Sequence, residues 1–235
     1  MTQLLEDLRD IATAGSTLQS LEDFADQFLR MQWCTGPFKW YHSYPANLCL
    51  SVNDCVVHGV PTDYVLQNGD VLKIDAGVNY QWWLADAALS VVIGWEKYNE
   101  QWSLLIRATK EALDTSLLYV KAGRSVYDFG FAVAQYMRQK WFSIIKNLTG
   151  HGIGKTLHEN PFVYNYGDPL AKKIFFQEGQ VVCLEPITWL VSTQAVEKNR
   201  HPFNLYCNKG DIGVQWEYMV LVTKGEPEIL AGIQL

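Results

Sequence analysis

The chain has 235 residues, 49% of them hydrophobic, and a formal net charge of −6. That size and apolar content suit one medium domain, or at most two small ones, with a substantial core. The acidic balance and the lack of a long basic run exclude a broad nucleic-acid footprint or an anionic-membrane patch.

No segment approaches the roughly 18 uncharged apolar residues of a membrane span, and "MTQLLEDLRDIATAG" lacks the cationic end and apolar block of a secretory signal. The five cysteines, Cys34, Cys49, Cys55, Cys183 and Cys207, are odd in number and contain no CxxC pair. A reducing, cytoplasmic setting without a disulfide framework is expected.

In chain order, "AGSTLQSLEDFADQFLR" (14–30) predicts an amphipathic helix with Leu18, Leu21, Ala25 and Phe28 on its buried face. Short β-rich runs follow at 68–77 and 86–94, with a turn signal at Asn68-Gly69. The segment 100–121, with Leu105, Ala108 and Ala112 on one face, reads as a further helix. "AGRSVYDFGFAVAQYMR" (122–138) then repeats the first helix, placing Val126, Phe129, Val133 and Tyr136 at matching intervals. The stretch "TGHGIGKTLHENP" (149–161) reads as a glycine-broken loop holding His151 and His158.

The strands repeat as well. "NGDVLKIDAG" (68–77) and "EGQVVCLEPI" (178–187) each carry an acid six residues after a glycine, which makes Asp75 and Glu185 equivalent. "DAALSVVIG" (86–94) and "EYMVLVTKG" (217–225) each open on an acid, which makes Asp86 and Glu217 equivalent. An α+β, pseudo-symmetric single domain over 1–235 is predicted, with halves of about 1–110 and 111–235.

An acid in an apolar strand costs several kcal/mol or more unless it is paired, protonated or bound to a cation. Lys73 is the one lysine close by, and it is expected to point to the opposite face. One such acid alone reads as a surface residue or an ion-pair partner, but four recurring in matched positions point to metal. Carboxylates with one imidazole suit Mn, Fe, Co or Zn, and bridging carboxylates can hold two ions about 3.5–4 Å apart. The many tryptophans, among them Trp82, Trp83, Trp189 and Trp216, are assigned to core packing.

Together, "SVNDCVVHGVP", "KIDAG", "LADAA", "GHGIGKTLHENP", "LEPI" and "QWEYMV" resemble the type I methionine aminopeptidases, metallopeptidases of the pita-bread fold. The order Asp75, Asp86, His151, Glu185, Glu217, with gaps of 11, 65, 34 and 32 residues, is similar to the five-ligand pattern of that family. The resemblance implies two divalent ions. Asp75 would chelate one, Asp86 and Glu217 would bridge both, and His151 with Glu185 would complete the other.

It further implies that His58 lies near the scissile amide, that His158 steadies the developing oxyanion, and that Glu185 shuttles a proton. Tyr41, Tyr44 and Cys49 would line the pocket for the methionine side chain. The implied substrates are the N-termini of peptides and nascent proteins, handled by a monomer in the cytoplasm near the ribosome.

Several positions depart from the family pattern. Leu84-Ala85 replace a histidine-glycine pair before Asp86, Ala87 follows in place of threonine, and Leu157 replaces a phenylalanine. Phe203 or Tyr206 would stand in for a late tryptophan of the pocket. Three alternatives are disfavoured. A proline-specific peptidase on the same fold would carry a large extra N-terminal domain. A type II enzyme would carry an insertion between His151 and Glu185. A peptide-binding pseudoenzyme would have lost ligands.

Overall fold

Caps and periodicity set the helices in both halves. Thr17 opens α2 (Leu18–Met31) with a capping box: its hydroxyl accepts from Ser20 N at 3.0 Å, and Ser20 Oγ accepts from Thr17 N at 3.2 Å. Ser125 caps α4 (Val126–Gln139) by accepting from Tyr127 N at 3.1 Å. The buried stripes run through Leu18, Leu21, Ala25 and Leu29 in α2, and through Val126, Phe129, Val133 and Met137 in α4. Phe28 and Tyr136, expected in those stripes, are only partly buried at their edges, because the next residue completes each face.

A computed structural model describes residues 1–95, 98–198, 201–207 and 211–234. It adds a helix that the sequence reading did not assign, α1 (Thr2–Ile11), which buries Leu4, Leu5 and Leu8. Helix α3 (Glu100–Ser116) is shorter than the predicted 100–121, because 117–119 tighten into a 3₁₀ turn closed by Val120 N donating to Leu117 O at 2.8 Å. Among the described residues no helix is long and apolar enough to cross a membrane.

The described residues form fourteen strands: β1 (Leu48–Val52), β2 (Cys55–Val57), β3 (Val71–Tyr80), β4 (Trp83–Val92), β5 (Ser143–Ile144), β6 (Thr149–Gly152), β7 (Glu159–Tyr164), β8 (Val181–Leu184), β9 (Ile187–Trp189), β10 (Val196–Glu197), β11 (Leu205–Tyr206), β12 (Val214–Gln215), β13 (Tyr218–Leu221) and β14 (Glu228–Ala231). Every ladder among the described residues is antiparallel. The order β1-β3-β4 after α2 recurs as β6-β8-β13 after α4, the latter flanked by β7 and β14. Helices α1 and α3 pack on β3 or β4, α2 on β1 and α4 on β7, so the main core lies between sheets and helices.

Residues 149–161 are not the predicted loop. They contain all of β6 and the start of β7, and His151 sits within β6. The glycines serve close strand approach rather than a turn: a Cβ on Gly150 would lie 2.3 Å from Cys183 O, and one on Gly152 would lie 2.3 Å from Asn160 O. The tryptophans divide. Trp189 and Trp216 are core residues, but Trp82 and Trp83 are exposed at the β3–β4 hairpin, where a two-residue turn with positive φ at Gln81 and Trp82 points away from the core.

The start of β1 is tied to α2 by one buried carboxylate. Glu22 accepts from Asn47 N at 2.7 Å, Asn47 Nδ2 at 2.8 Å and Leu48 N at 3.0 Å. Glu22→Ala would strand two backbone donors and leave the Asn47 amide only its longer bond to Asp26 Oδ1 at 3.3 Å, and is expected to lower stability by about 2–4 kcal/mol in urea denaturation.

Trp33 and Trp141 follow the C-caps of α2 and α4 at φ 58° and 65°, in the left-handed region where glycine is favoured, and they are 90% and 91% exposed. Relief of that strain, less the extra entropy of glycine in the unfolded chain, predicts that Trp33→Gly and Trp141→Gly each raise stability by about 0.5–1 kcal/mol, read by thermal melting.

Candidate metal centre and substrate cavity

Two strand pairs, one from each half, bring five side chains together. In the β3–β4 ladder Asp75 faces Ala88 and Asp86 faces Gly77, so the two acids are diagonal neighbours on one face. In the second half His151 of β6 faces Cys183 of β8. Glu185 and Glu217 lie one residue beyond the last pair of the β8–β13 ladder, Leu184 with Tyr218. The halves are stitched at the same point: Glu217 N donates to Ala88 O at 2.9 Å, and Ser90 Oγ donates to Gln215 O at 2.7 Å. All five side chains border one cavity of about 440 Å³.

His151 Nδ1 lies 2.8 Å from Gly152 O, which fixes the proton on that nitrogen and leaves Nε2 as a lone pair among the acids. Nε2 is 3.9 Å from Asp86 Oδ2 and 3.7 Å from Glu185 Oε1. Gln215 Nε2 donates at 3.4 Å to both Asp75 Oδ2 and Glu185 Oε2, bridging acids from the two halves. Asp75 Oδ1, Asp86 Oδ1 and Glu217 Oε1 are buried without a hydrogen-bond partner.

Burial pushes the Asp75 carboxyl up to about 7 and holds Asp86, Glu185 and Glu217 well above the usual carboxylate range. Neighbouring carboxylates add to the rise: Glu217 and Asp75 act on Asp86, Asp75 and Asp86 on Glu185, and Glu185 and Asp75 on Glu217. Burial also pushes His151 down to about 4, so its imidazole is neutral and able to ligate.

Lys73 does not relieve this repulsion, though not for the reason expected. Two residues from Asp75, it has the same strand parity rather than the opposite one. Its ammonium is instead drawn off to Asn53 O at 2.9 Å and Val71 O at 3.4 Å. Among the described residues His151 is the sole basic side chain within ion-pair distance of the four acids. Orphaned buried oxygens, a free imidazole nitrogen and no lysine or arginine partner are the donor set of a divalent-cation site.

Tyr41, Tyr44, Cys49, His58 and His158 border the same cavity. His58 has φ 57°, outside the region most side chains adopt, and it borders the cavity. The cavity walls first, then the His158 ring, favour its neutral form. His158 stacks edge-on against His151, with ring centroids 4.4 Å apart, and its Nδ1 lies 2.9 Å from Tyr41 Oη. Tyr44 spends its hydroxyl on the backbone, reaching Leu48 O at 3.0 Å and Gly59 O at 2.9 Å, and turns its ring to Phe203. Cys49 is buried opposite Asp75.

Of the two stand-ins for the late tryptophan, Phe203 borders the cavity; Tyr206 pairs with Cys55 in a separate sheet and does not. Phe38, Leu157, Gln215 and Cys183 also belong to the cavity or its metal face, and the sequence reading gave none of them a role. For Gln215 and Cys183 a signal existed: each stands two residues before a glutamate of the set, hence on the same side of an extended chain.

A sequence model of metallopeptidase family M24 matches residues 1–224. A methionine aminopeptidase of Mycoplasma capricolum subsp. capricolum is 36% identical over 223 residues, 95% of this chain and 88% of that protein. The crystal structure of a methionine aminopeptidase from Rickettsia prowazekii superposes with a TM-score of 0.92 at 26% identity, covering 97% of this chain and 91% of that one. An X-Pro aminopeptidase from Thermotoga maritima shares the fold at a TM-score of 0.72 and 22% identity, covering 99% of this chain but 57% of that one. The chain belongs to metallopeptidase family M24, on its methionine aminopeptidase branch, and has the pita-bread fold.

The raised carboxyls have a consequence for stability. Acids whose pKa is higher folded than unfolded hold protons that the unfolded chain releases, so stability falls as pH rises from about 4 through the raised values. For Asp75 that window runs from its ordinary 3.8 to about 7. Chelator-treated protein is therefore expected to melt lower at about pH 7.5 than at about pH 5, and added divalent cation should reverse the loss at the higher pH.

Proposed function

We propose that this chain is a methionyl aminopeptidase in which Asp75, Asp86, His151, Glu185 and Glu217 hold two divalent cations drawn from Mn, Fe, Co and Zn. The observation that carries the reading is the convergence of these five donors, with three carboxylate oxygens buried and unpaired. Asp75 would serve one ion, Asp86 and Glu217 would bridge, and His151 with Glu185 would serve the other. When bound, such a pair lowers the pKa of water toward neutrality and polarises a carbonyl.

The remaining tasks fall to the chain's own groups. The acidic cleft attracts the free α-amine of a peptide or protein N-terminus. The methionine side chain enters the apolar part of the cavity, between Phe38, Tyr41, Tyr44, Cys49, Leu157 and Phe203, where aromatic faces suit a thioether. Glu185, the least buried of the four acids, takes a proton from the attacking water on a carboxylate oxygen and returns it to the leaving amine.

Tyr41 Oη lies 2.9 Å from His158 Nδ1; with the phenol donating there, Nε2 would carry the hydrogen that meets the carbonyl oxygen as charge develops. His58, on the same cavity, would stand near the scissile amide. Initiator methionine on nascent proteins is the proposed substrate, and the enzyme would act as a single-domain monomer in the cytoplasm beside the ribosome.

The test uses chelator-treated protein resupplied with Mn, Co or Fe and offered Met-Ala-Ser, Xaa-Pro and Ala-Ala-Ser peptides. Preferred release of methionine is expected, and preferred Xaa-Pro cleavage would replace this reading with a prolidase-type one. Glu185→Gln should lower kcat by about 100-fold or more with its thermal melt preserved; near-normal turnover would remove Glu185 from proton handling.

A further inference from the structure

The carboxylates and the imidazole do not exhaust the donors in this cleft. Cys183 stands directly across from His151 in the β6–β8 ladder. Its Sγ, a nitrogen of His151 and one oxygen each of Asp86 and Glu217 all lie within 4.8 Å of one another. The four residues are 0%, 4%, 4% and 1% exposed, in that order. Within the group, Asp86 Oδ1 and Glu217 Oε1 are the buried oxygens that lack any hydrogen-bond donor. Cys49, the thiol that borders the cavity itself, falls outside this group.

The spacing lets all four donors reach one ion. Tetrahedral geometry with metal–N and metal–O bonds of about 2.0–2.2 Å and metal–S bonds of about 2.3 Å puts neighbouring donors about 3.3–3.8 Å apart. Contraction from 4.8 Å asks each side chain to move by about 1 Å or less, within the reach of χ rotations. The result is a ligand set of one nitrogen, one sulfur and two oxygens, whereas Asp75 offers only oxygen.

We infer that Cys183 is itself a metal ligand, its thiolate joining Asp86, His151 and Glu217 around the divalent cation that Glu185 also serves. The inference rests on the metallopeptidase reading of the same cleft. Binding forms the metal–sulfur bond and releases the thiol proton to solvent, with no change of oxidation state. The sulfur makes this subsite softer than the one at Asp75, so Zn and Co are favoured there over Mn.

Cobalt(II) titrated into chelator-stripped full-length protein tests this, in a Cys34→Ser background that removes the most accessible thiol. Visible d–d bands together with a near-ultraviolet sulfur-to-cobalt charge-transfer band are expected. The charge-transfer band should vanish in Cys183→Ser and persist in Cys49→Ala, with the d–d bands kept in both. Zn affinity should fall about 10-fold or more in Cys183→Ser while Mn affinity changes by less than about 3-fold.

X-ray absorption of the zinc-loaded protein without substitution at Cys183 should show a sulfur neighbour at about 2.3 Å, and this arm decides the matter if Cys183→Ser fails to fold. Visible bands without charge transfer, and a zinc shell of nitrogen and oxygen alone, would overturn the role of Cys183 and leave the carboxylate site standing. No visible bands at all would overturn both.

Discussion

Four carboxylates crowded at the meeting point of two strand pairs form the constraint around which the molecule is arranged. Unscreened, they repel each other in a medium that solvates charge poorly, and protons relieve this only below their raised pKa values. The same point is the seam between the halves, closed by the bond from Glu217 N to Ala88 O and by the Ser90–Gln215 contact. A cation held there would neutralise the acids and bind one half of the chain to the other.

Of the histidines that border the cavity, His151, His158 and His58 differ by environment rather than by chemistry. His151 is buried in a strand, with its proton committed to a backbone carbonyl, and so presents a bare nitrogen. His158 meets it edge to face but stands in the open, with Nδ1 against a phenol. His58 borders the cavity from a backbone conformation uncommon for its type. One ring is suited to hold an ion, and the other two are suited to meet what approaches it.

How far the chain could be read beforehand follows from where each signal resides. The helices announced themselves locally, through Thr17 and Ser125 as caps and through apolar spacing. The pairing of Asp75 with Glu185 and of Asp86 with Glu217 was legible because the repeat made two weak patterns check each other. Features set by distant neighbours were not legible. The glycines around His151 resemble loop formers until Cys183 O and Asn160 O are seen pressed against them. Phe38 joins the cavity through tertiary packing, and Gln215 matters through its reach to acids 140 and 30 residues away. Trp82 and Trp83 were misassigned because aromatic content alone does not distinguish a hairpin tip from a core.

The phenol of Tyr41 has two neighbours at once, the apolar chamber on one side and the ring of His158 on the other. A lineage exploring new side-chain preferences at this wall would disturb the orientation of that imidazole with every change it tried. If Tyr41 walls the methionine pocket and His158 meets the oxyanion, as proposed, selectivity and speed are yoked through a single hydroxyl, and drift toward other N-terminal residues would have to spare that group or find a second way to steady the ring.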